Sequence, residues 1–262
     1  MKKLIVWGGL GLTLLVAGAI AVTIMSINPL IEKAVNTFGP KLVAAPVHLD
    51  TSDVSVFSGE GELRGLFVGN PAGYKSESAF KLGAVRVKVD KESFASDRIV
   101  INDITILAPQ ITYELSGRKS NIQALLDNVN KTAGQEQAAE KQRKKSGQEE
   151  PGGGQKIQID NLLIKGGEIT LAITGLGGEV MTVPLPEIHL TDIGKDKDGA
   201  TPAEAFAQIM AAVNKAVGKA AAGSLGNLTK GLEKSLEDLK NNSGDLKKGV
   251  DDLSKGIKGM FQ

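Results

Sequence analysis

The sequence predicts an α+β fold: an N-terminal transmembrane helix, a curved antiparallel sheet of repeated hairpins forming an open groove or half-barrel, amphipathic helices and a helical C-terminal tail. Three observations indicate this fold. A long uncharged stretch follows two lysines, apolar residues then recur at every second position, and near the C-terminus they recur at steps of three and four. The predicted segments are a membrane anchor over 1–28, a first β-repeat region with a leading and a closing helix over 29–130, a polar linker over 131–155, a second β-repeat region over 156–200 and an amphipathic helical tail over 201–262.

The composition excludes several classes of protein. The chain of 262 residues has 31 Lys and Arg against 30 Asp and Glu, so no basic footprint for nucleic acid is visible at the whole-chain level. Cysteine is absent, which excludes disulfides, thiolate metal sites and a lipidated cysteine. Aromatic residues make up only 4% of the chain, so a compact core has to be built from Ile, Leu and Val.

The N-terminal segment predicts a single membrane span. The uncharged run Leu4–Ile27 would form about 36 Å of helix, enough to cross a hydrocarbon core of about 30 Å with some tilt. Lys2 and Lys3 place the N-terminus in the cytoplasm and the bulk of the chain on the other side. A cleaved signal peptide is the alternative, because Ala19-Ile20-Ala21 resembles a cleavage site. The apolar run continues beyond that site, which favours a retained anchor.

The two β regions show alternation and an internal likeness. Short alternating runs are separated by turn signals such as Asn70-Pro71-Ala72-Gly73, a pattern typical of antiparallel strands with one apolar face. Pro184 and Pro186 interrupt the last run and indicate an edge strand or a bulge. The sequence over 98–114 resembles that over 156–171, and we interpret each copy as a hairpin unit added side by side to one growing sheet.

Helices are predicted before, between and after the β regions. Leu30–Val43 is weakly amphipathic, and Asn121–Val129 carries one apolar face with Ser120 as a plausible N-cap. Between the β regions, Lys131–Gln155 has the composition of a disordered or fraying linker. Thr201 with Glu204 forms a capping signature for the helix that follows.

The C-terminal tail combines helical periodicity with many glycines. Apolar residues from Leu225 to Met260 recur mostly at three- and four-residue steps. Each of the interspersed glycines costs a helix about 1 kcal/mol relative to alanine. We therefore expect the tail to be marginal alone and to need the sheet, a partner chain or a bilayer to lie on.

Three segments carry a resemblance to a known family: Gly61–Tyr74, Ile99–Glu114, and Leu190–Gly194 followed by a Thr-Pro-Ala-Glu helix start. Over about residues 1–222 the chain resembles the AsmA-like family of bacterial envelope proteins, as a short member with one anchor. The resemblance implies an inner-membrane, periplasmic protein whose curled sheet has an apolar inner face suited to acyl chains, linked to phospholipid transport and outer-membrane homeostasis. At about 4.8 Å per strand, some ten strands would span roughly 48 Å, which falls short of an envelope-wide bridge.

The expected ligand is a phospholipid or another acyl-chain lipid, held by apolar side chains of the strands. The alternative is that the same side chains pack against the helices and form an ordinary closed core. The candidate lipid-binding residues are Val85, Val87, Val89, Ile99, Ile101, Ile104, Ile106, Ile157, Ile159, Ile169, Leu171 and Ile173.

No catalytic, metal or cofactor site is predicted. His48 and His189 have no neighbours at ligand spacing, and no serine or cysteine nucleophile motif is recognisable. The pairs Asp50 with Asp53 and Asp196 with Asp198 lack the frame of a calcium loop and read as solvated turns. The expectation is therefore a protein that is not an enzyme.

A non-catalytic envelope scaffold is the second functional hypothesis. Gly9, Thr13, Ala17 and Ala21 lie four apart in the anchor, a spacing that allows close helix–helix contact in lipid, although small residues are common in such segments. Together with the heptad-like tail, this stripe would support self-association or docking to an envelope protein partner. No nucleic acid is expected as a partner.

Overall fold

The computed structural model describes residues 27–146, 156–172, 180–197 and 199–242. Helix α1 covers 27–43 and, like the predicted leading helix, enters the first β region. The remaining elements are β1 (Val47–His48), β2 (Thr51–Val54), β3 (Glu60–Gly69), β4 (Ser78–Val89), a 3₁₀ helix (Lys91–Ala95), β5 (Arg98–Leu107), β6 (Gln110–Ser116), β7 (Lys119–Ser120), α2 (Asn121–Ser146), β8 (Lys156–Lys165), β9 (Glu168–Ala172), β10 (Val180–Pro184), β11 (Ile188–Ile193), a second 3₁₀ helix (Lys195–Lys197) and α3 (Pro202–Asn242).

The strands form one curled, open sheet. This confirms the predicted α+β class and the predicted half-barrel. Across the sheet the order is β1 and β2, then β3, β4, β5 with β6, β8 with β9, and β11 with β10. The strands named together in this order lie end to end, so the sheet has six long strands, four of which consist of two segments each. The chain enters at one edge and reaches the other edge before α3.

A line of interruptions in the strand pairing crosses all six long strands at one level. It runs through Asp50, Gly65, Gly83, the Ala108-Pro109 step, the Gly166-Gly167 step and Pro186. Several of these residues adopt positive φ, including Gly65 at 66°, Ala108 at 48° and Gly166 at 68°. The line divides the sheet into a lower half (β2, the start of β3, the end of β4, β5, β8, β11) and an upper half (β1, the end of β3, the start of β4, β6, β9, β10).

The predicted all-antiparallel arrangement of hairpins is wrong for the central pairs. The two copies of the internal repeat, 98–114 and 156–172, lie side by side in parallel and in one unbroken register, as β5 with β8 and β6 with β9. The chain kinks at Ala108-Pro109 and does not turn back there. The Ala108 N–H donates to Lys165 O over 2.9 Å, and Pro109 has no N–H to give. The connection between the copies is a crossover through α2, as parallel strands require.

Helix α1 covers the first edge of the sheet. Asn28, Glu32 and Asn36 lie four residues apart, which places them on one side of the helix. Their side-chain oxygens accept hydrogen bonds from backbone N–H groups at the β1–β2 edge. Without these bonds, the same N–H groups would be open to pairing with another chain. The bonds run from Val54 to Asn28 (2.8 Å), from Ser52 to Glu32 (2.8 Å) and from Leu49 to Asn36 (2.7 Å).

The opposite edge is formed by β10 and β11, which confirms the edge position predicted from the prolines. Pro184 ends β10 and Pro186 lies between the two strands. Because proline has no backbone N–H, neither residue can donate to an added strand. Asp192 has a φ of 58°, which further interrupts regular extension of this edge.

Helices α2 and α3 pack together and close the core. The fully buried residues Ile122, Leu125 and Val129 of α2 face the upper half, and α3 packs on β8, β9, β10 and β11. Both predicted caps are present. Ser120 Oγ accepts from Gln123 N over 3.1 Å, and Thr201 and Glu204 exchange bonds of 3.2 and 2.7 Å in a capping box.

Helix α2 is longer than predicted, and α3 joins the predicted helix over 205–222 to the described part of the predicted helical tail. Helix α2 continues to Ser146, through the first part of the segment assigned to a disordered or fraying linker. That part is polar but rich in Ala, Gln, Glu, Lys and Arg, which favour helix, and its beginning packs on the domain, where Ala133 is buried and Thr132 Oγ1 donates to Leu42 O over 3.3 Å. Helix α3 runs unbroken to Asn242, past Gly226 and Gly231.

The predicted anchor lies, apart from its last two residues, in 1–26 and therefore outside the described residues. Within the described ranges, no helix is long and apolar enough to cross a membrane. The part of the tail over 243–262 and the rest of the predicted linker, over 147–155, also lie outside the described residues.

Candidate functional site

Most of the predicted lipid-binding residues share one face of the lower half, here called the apolar face. Strand register aligns them in rows, and side chains that are register partners project to the same side of a sheet. The rows are Val85–Ile106–Ile164, Val87–Ile104–Leu162, Val89–Ile101–Ile159 and Ile99–Ile157.

The apolar face stays continuous because an irregularity in β5 is matched in β8. Ile101 and Ile104 are three residues apart, as are Ile159 and Leu162, which would put each pair on opposite sides of a regular strand. A register shift between β4 and β5 adds one residue to β5 at this point. All four side chains accordingly belong to the core cluster or pack against it.

Cover over the apolar face is greatest at β8 and smaller over most of β5 and β4, although Val85 on β4 is buried, at 7% exposed. On the β8 side α3 packs above the face, and Ile159 is only 3% exposed. Ile101, Ile104 and Ile106 on β5 are half-buried and pack against the core.

The far side of the apolar face is left open. Leu63, Val87, Val89 and Ile99, here called the open strip, are half-buried and stand outside the main core cluster of the described chain. Val54 and Val87 flank Gly61, whose missing Cβ would lie 2.7 and 3.1 Å from their methyl groups. The open strip is therefore a shallow apolar floor between α1 at one edge and α3 on the other side.

The predicted residues of β9 belong to the closed core. Ile169 and Leu171 are 0% and 1% exposed, and they lie in the upper half in register with Ile111 and Tyr113. This placement corresponds to the alternative of ordinary core packing that the sequence left open. Ile173 falls in 173–179, outside the described residues.

The sequence-based site omitted residues that occupy equivalent places. Leu162 and Ile164 are 1% and 4% exposed and complete the rows begun by Ile104 and Ile106. The internal repeat in the sequence could have identified these two residues, because the offset that relates Ile99 to Ile157 also relates Ile104 to Leu162. Leu63 on β3 was also omitted, although it pairs with Val85.

The opposite face of the lower half is polar. Glu62 accepts hydrogen bonds from Arg64 Nε (2.6 Å) and Arg86 Nε (3.2 Å), and these bonds, Arg64 first, lower the pKa of the Glu62 carboxyl. Further along, Asn161 donates to Asp103 over 2.5 Å and contacts His189. The sheet thus separates a charged, solvated face from an apolar one.

Two shallow depressions are lined mainly by residues of the polar side, although Gly61 and Val87 also border the first of them. One, of about 470 Å³, is bordered by Arg86, Lys88 and Asp103, and another, of about 530 Å³, by His48 and Lys81. Among the described residues, no group of three or more His, Asp or Glu side chains is arranged to hold a metal ion. His48 instead pairs with the neighbouring Asp50 over 3.1 Å, and both side chains are exposed.

A buried polar network joins segments that carried the family resemblance. Glu114 accepts from Lys75 N (2.8 Å), Ser76 N (2.7 Å) and Ser76 Oγ (2.5 Å), while Asn121 donates to Asn70 Oδ1 over 2.8 Å. Asn121 also accepts from Glu114 N over 3.0 Å. Burial raises the pKa of Glu114, but the hydrogen bonds from Ser76 and Lys75 outweigh it, so the pKa is lowered overall. The network fixes the loop between β3 and β4.

Comparison of the chain with models of known protein families and with characterised proteins found no match. The AsmA-like resemblance therefore rests on the three sequence segments themselves. Two of them, Gly61–Tyr74 and Ile99–Glu114, meet in the network of Asn70 and Glu114.

The geometry of the apolar face allows it to hold an elongated apolar group through apolar contacts, without hydrogen bonds. Apolar burial contributes about 25 cal/mol per Å² without directional bonds. The open strip crosses four of the residue rows, from the row of Leu63 and Val85 to the row of Ile99, so an apolar chain lying along it would have roughly 20 Å of floor at about 3.3 Å per residue. That exceeds the thickness of one leaflet, about half of a 30 Å hydrocarbon core.

Proposed function

We propose that this chain is an inner-membrane-anchored, periplasmic protein of AsmA-like type that binds a phospholipid or another acyl-chain lipid on its apolar face. Its role would be lipid transport or outer-membrane homeostasis, without catalysis. The observation that carries the proposal is the open strip, an apolar floor of Leu63, Val87, Val89 and Ile99 that adjoins the core.

The size of the floor favours a single lipid or a small number of lipids. Its rows run across β3, β4 and β5, which at about 4.8 Å per strand step makes a width of roughly 10 Å. A helix passes on either side, α1 along the β1–β2 edge and α3 over β8 and β11. Because a floor of this size cannot bridge the envelope alone, we propose local binding or handover, with longer transfer needing other chains.

Mass spectrometry of lipids that co-purify with the full chain tests the proposal. The informative variant is Val87→Asp, which puts a charge on the open strip. The matched control is Lys88→Asp, the next residue of the same strand, whose exposed side chain lies on the polar face. We expect Val87→Asp to lose a stoichiometric phospholipid that the wild type and Lys88→Asp retain. Equal lipid content in all three chains after gentle extraction would contradict the proposal, since only lipid around the anchor would then be present.

A scaffold function is the second candidate, favoured by the reach of α3. Ala221 is the last buried residue of this helix in the described chain, yet the helix continues to Asn242. At about 1.5 Å per residue, the continuation is roughly 30 Å long. A helix that is marginal alone needs a surface to lie on, and under this hypothesis a second copy or a partner protein provides it. Deleting 225–262 and measuring the size of the complex separates the two functions, because a scaffold loses its assembly while a lipid carrier keeps its lipid.

A further inference from the structure

Two exposed phenylalanines lie at one end of the sheet. Phe57 is 67% exposed in the turn between β2 and β3, and Phe94 is 40% exposed in the 3₁₀ helix between β4 and β5. The turns are neighbours, because Val89 N donates to Gly59 O over 2.7 Å. Large apolar side chains grouped at an exposed end mark an interaction surface more often than isolated ones do.

Both loops hold their phenylalanines outward by hydrogen bonds. The turn around Phe57 is closed by Gly59 N, which donates to Ser55 O over 2.9 Å. In the 3₁₀ helix, the buried Ser93 accepts from Val100 N over 3.0 Å and donates to Asp90 O over 2.5 Å. The adjacent Phe94 is thereby fixed at the surface. The exposure of these rings is therefore built into the loops.

The described start of α1 lies at the same end. Asn28 accepts from Val54 N over 2.8 Å and from Ser52 Oγ over 2.9 Å, just before the turn that carries Phe57. Leu30, in the next positions of α1, is 61% exposed. The uncharged run Leu4–Ile27 precedes this point directly, so the chain that would enter a membrane leaves the domain beside the two aromatic loops.

We infer that Phe57, Phe94 and Leu30 form a bilayer-contacting end that inserts into the interface of the membrane holding the anchor. This inference rests on the anchor of the proposed function and adds how the sheet is oriented, with its strands upright on the membrane. Amphipathic segments that use Phe and Leu in this way sit about 5–10 Å into the headgroup and acyl boundary. The charged residues near Phe94 are of both signs, Lys91 and Arg98 against Asp90, Glu92 and Asp97, so we expect apolar contact and not charge attraction to provide the binding.

Phe38 provides an internal control for depth. Its side chain is 65% exposed, nearly as much as that of Phe57, but it lies ten residues after Asn28 on α1. At about 1.5 Å per residue it is roughly 15 Å further from the membrane end. An upright domain keeps this position above the headgroups, whereas a domain lying flat would bring it to the bilayer as well.

The test uses the full chain reconstituted in vesicles of phosphatidylethanolamine and phosphatidylglycerol with brominated acyl chains. Trp7, the single native tryptophan, is first removed by Trp7→Phe, and Phe57→Trp, Phe94→Trp or Phe38→Trp is then added. We expect a blue-shifted emission that loses most of its intensity to bromine at positions 57 and 94, and an unquenched emission at position 38.

Several results would overturn the inference. In one case the chain resists alkaline extraction but the emission at positions 57 and 94 is unquenched. This result refutes the contact of the two loops with the bilayer, and it leaves the anchor and the lipid-binding proposal unaffected. Equal quenching at all three positions refutes the upright orientation. A blue shift that bromine does not affect and that disappears when the protein is diluted in the vesicles assigns the surface to a second copy. Release of the chain by alkaline extraction would show that the predicted membrane anchor does not span the bilayer, and it would therefore also refute this inference.

Discussion

Replacing Glu114 tests whether the buried network holds the loop between β3 and β4. Glu114 is 3% exposed, and its carboxylate accepts hydrogen bonds from Lys75 N, Ser76 N and Ser76 Oγ over 2.8, 2.7 and 2.5 Å. Glu114→Ala removes all three acceptor contacts. The Ser76 hydroxyl can turn to another partner, but the two backbone N–H groups are fixed by the chain and lose their acceptor.

The size of the effect follows from those two donors. An unsatisfied buried donor costs about 1–3 kcal/mol, so for two donors we expect Glu114→Ala to lower the free energy of unfolding by about 2–6 kcal/mol. A domain has only about 5–15 kcal/mol in total, so this loss is a large fraction. Glu114→Gln keeps one oxygen as an acceptor and turns an amide donor towards the other N–H. We therefore expect about half of the loss for that variant.

Chemical denaturation followed by circular dichroism, on the full chain in detergent, measures these values. The matched control is Glu62→Gln, because the pKa of Glu62 is also lowered, by hydrogen bonds from Arg64 and then Arg86, but at the exposed polar face. Exposed ion pairs are screened by solvent and contribute little, so this control should unfold almost like the wild type. A change of less than about 0.5 kcal/mol for Glu114→Ala, typical of a surface position, would refute the role of the network.

The same network predicts a pH dependence with a definite sign. Burial raises the pKa of Glu114 and the hydrogen bonds more than offset it, so the folded pKa lies below the ordinary value of 4.5. Ionised Glu114 therefore contributes its full stability above that value, and the contribution is lost as the pH falls through the folded pKa. The difference in stability between the wild type and Glu114→Gln should shrink below about pH 4.5. A difference that grows on acidification would contradict this reasoning.

Three further substitutions test the fold. Asn36→Ala leaves a buried N–H at the sheet edge without its acceptor, and we expect denaturation to show a loss of about 1–3 kcal/mol. Gly65→Ala forces alanine to a φ of 66° and against the Asp50 carboxylate, so it should lower the free energy of unfolding by at least about 1–2 kcal/mol. Its control is Gly83→Ala, which has open space around it and should melt within a few degrees of wild type. Thr201→Ala removes the N-cap of α3 and should lower stability by about 1 kcal/mol, measured as a shift in the denaturation midpoint.

The sequence predicted which segments are neighbours better than it predicted their direction. The likeness of 98–114 to 156–171 indicated adjacent copies, and the copies do lie side by side. Alternation, however, is identical for parallel and antiparallel strands, since it records only which side of a strand is apolar. The Ala108-Pro109 step resembles a turn in sequence. It is a kink, because the strand hydrogen bonds resume on the same line at Gln110.

The candidate site could be predicted as a set of residues but not as a surface. Every residue of β4 and β5 in the predicted set lies on the apolar face, because burial of one face is what period-two alternation encodes. Which part of that face is covered depends on where α3 packs, and nothing local to Val87 or Ile159 distinguishes the open position from the buried one. The buried Glu114 was also invisible as a network residue, since its partners come from a loop far away in the chain.

Photo-crosslinking inside cells tests the central claim, lipid binding on the open strip, most directly. A benzophenone amino acid at Leu63 projects from the apolar face, while the same group at the neighbouring Arg64, whose side chain is exposed, projects from the polar face. After irradiation and purification, mass spectrometry should find a covalent phospholipid adduct at position 63 and little or none at position 64. Equal adducts at both positions, or protein adducts alone at position 63, would contradict lipid binding on the apolar face.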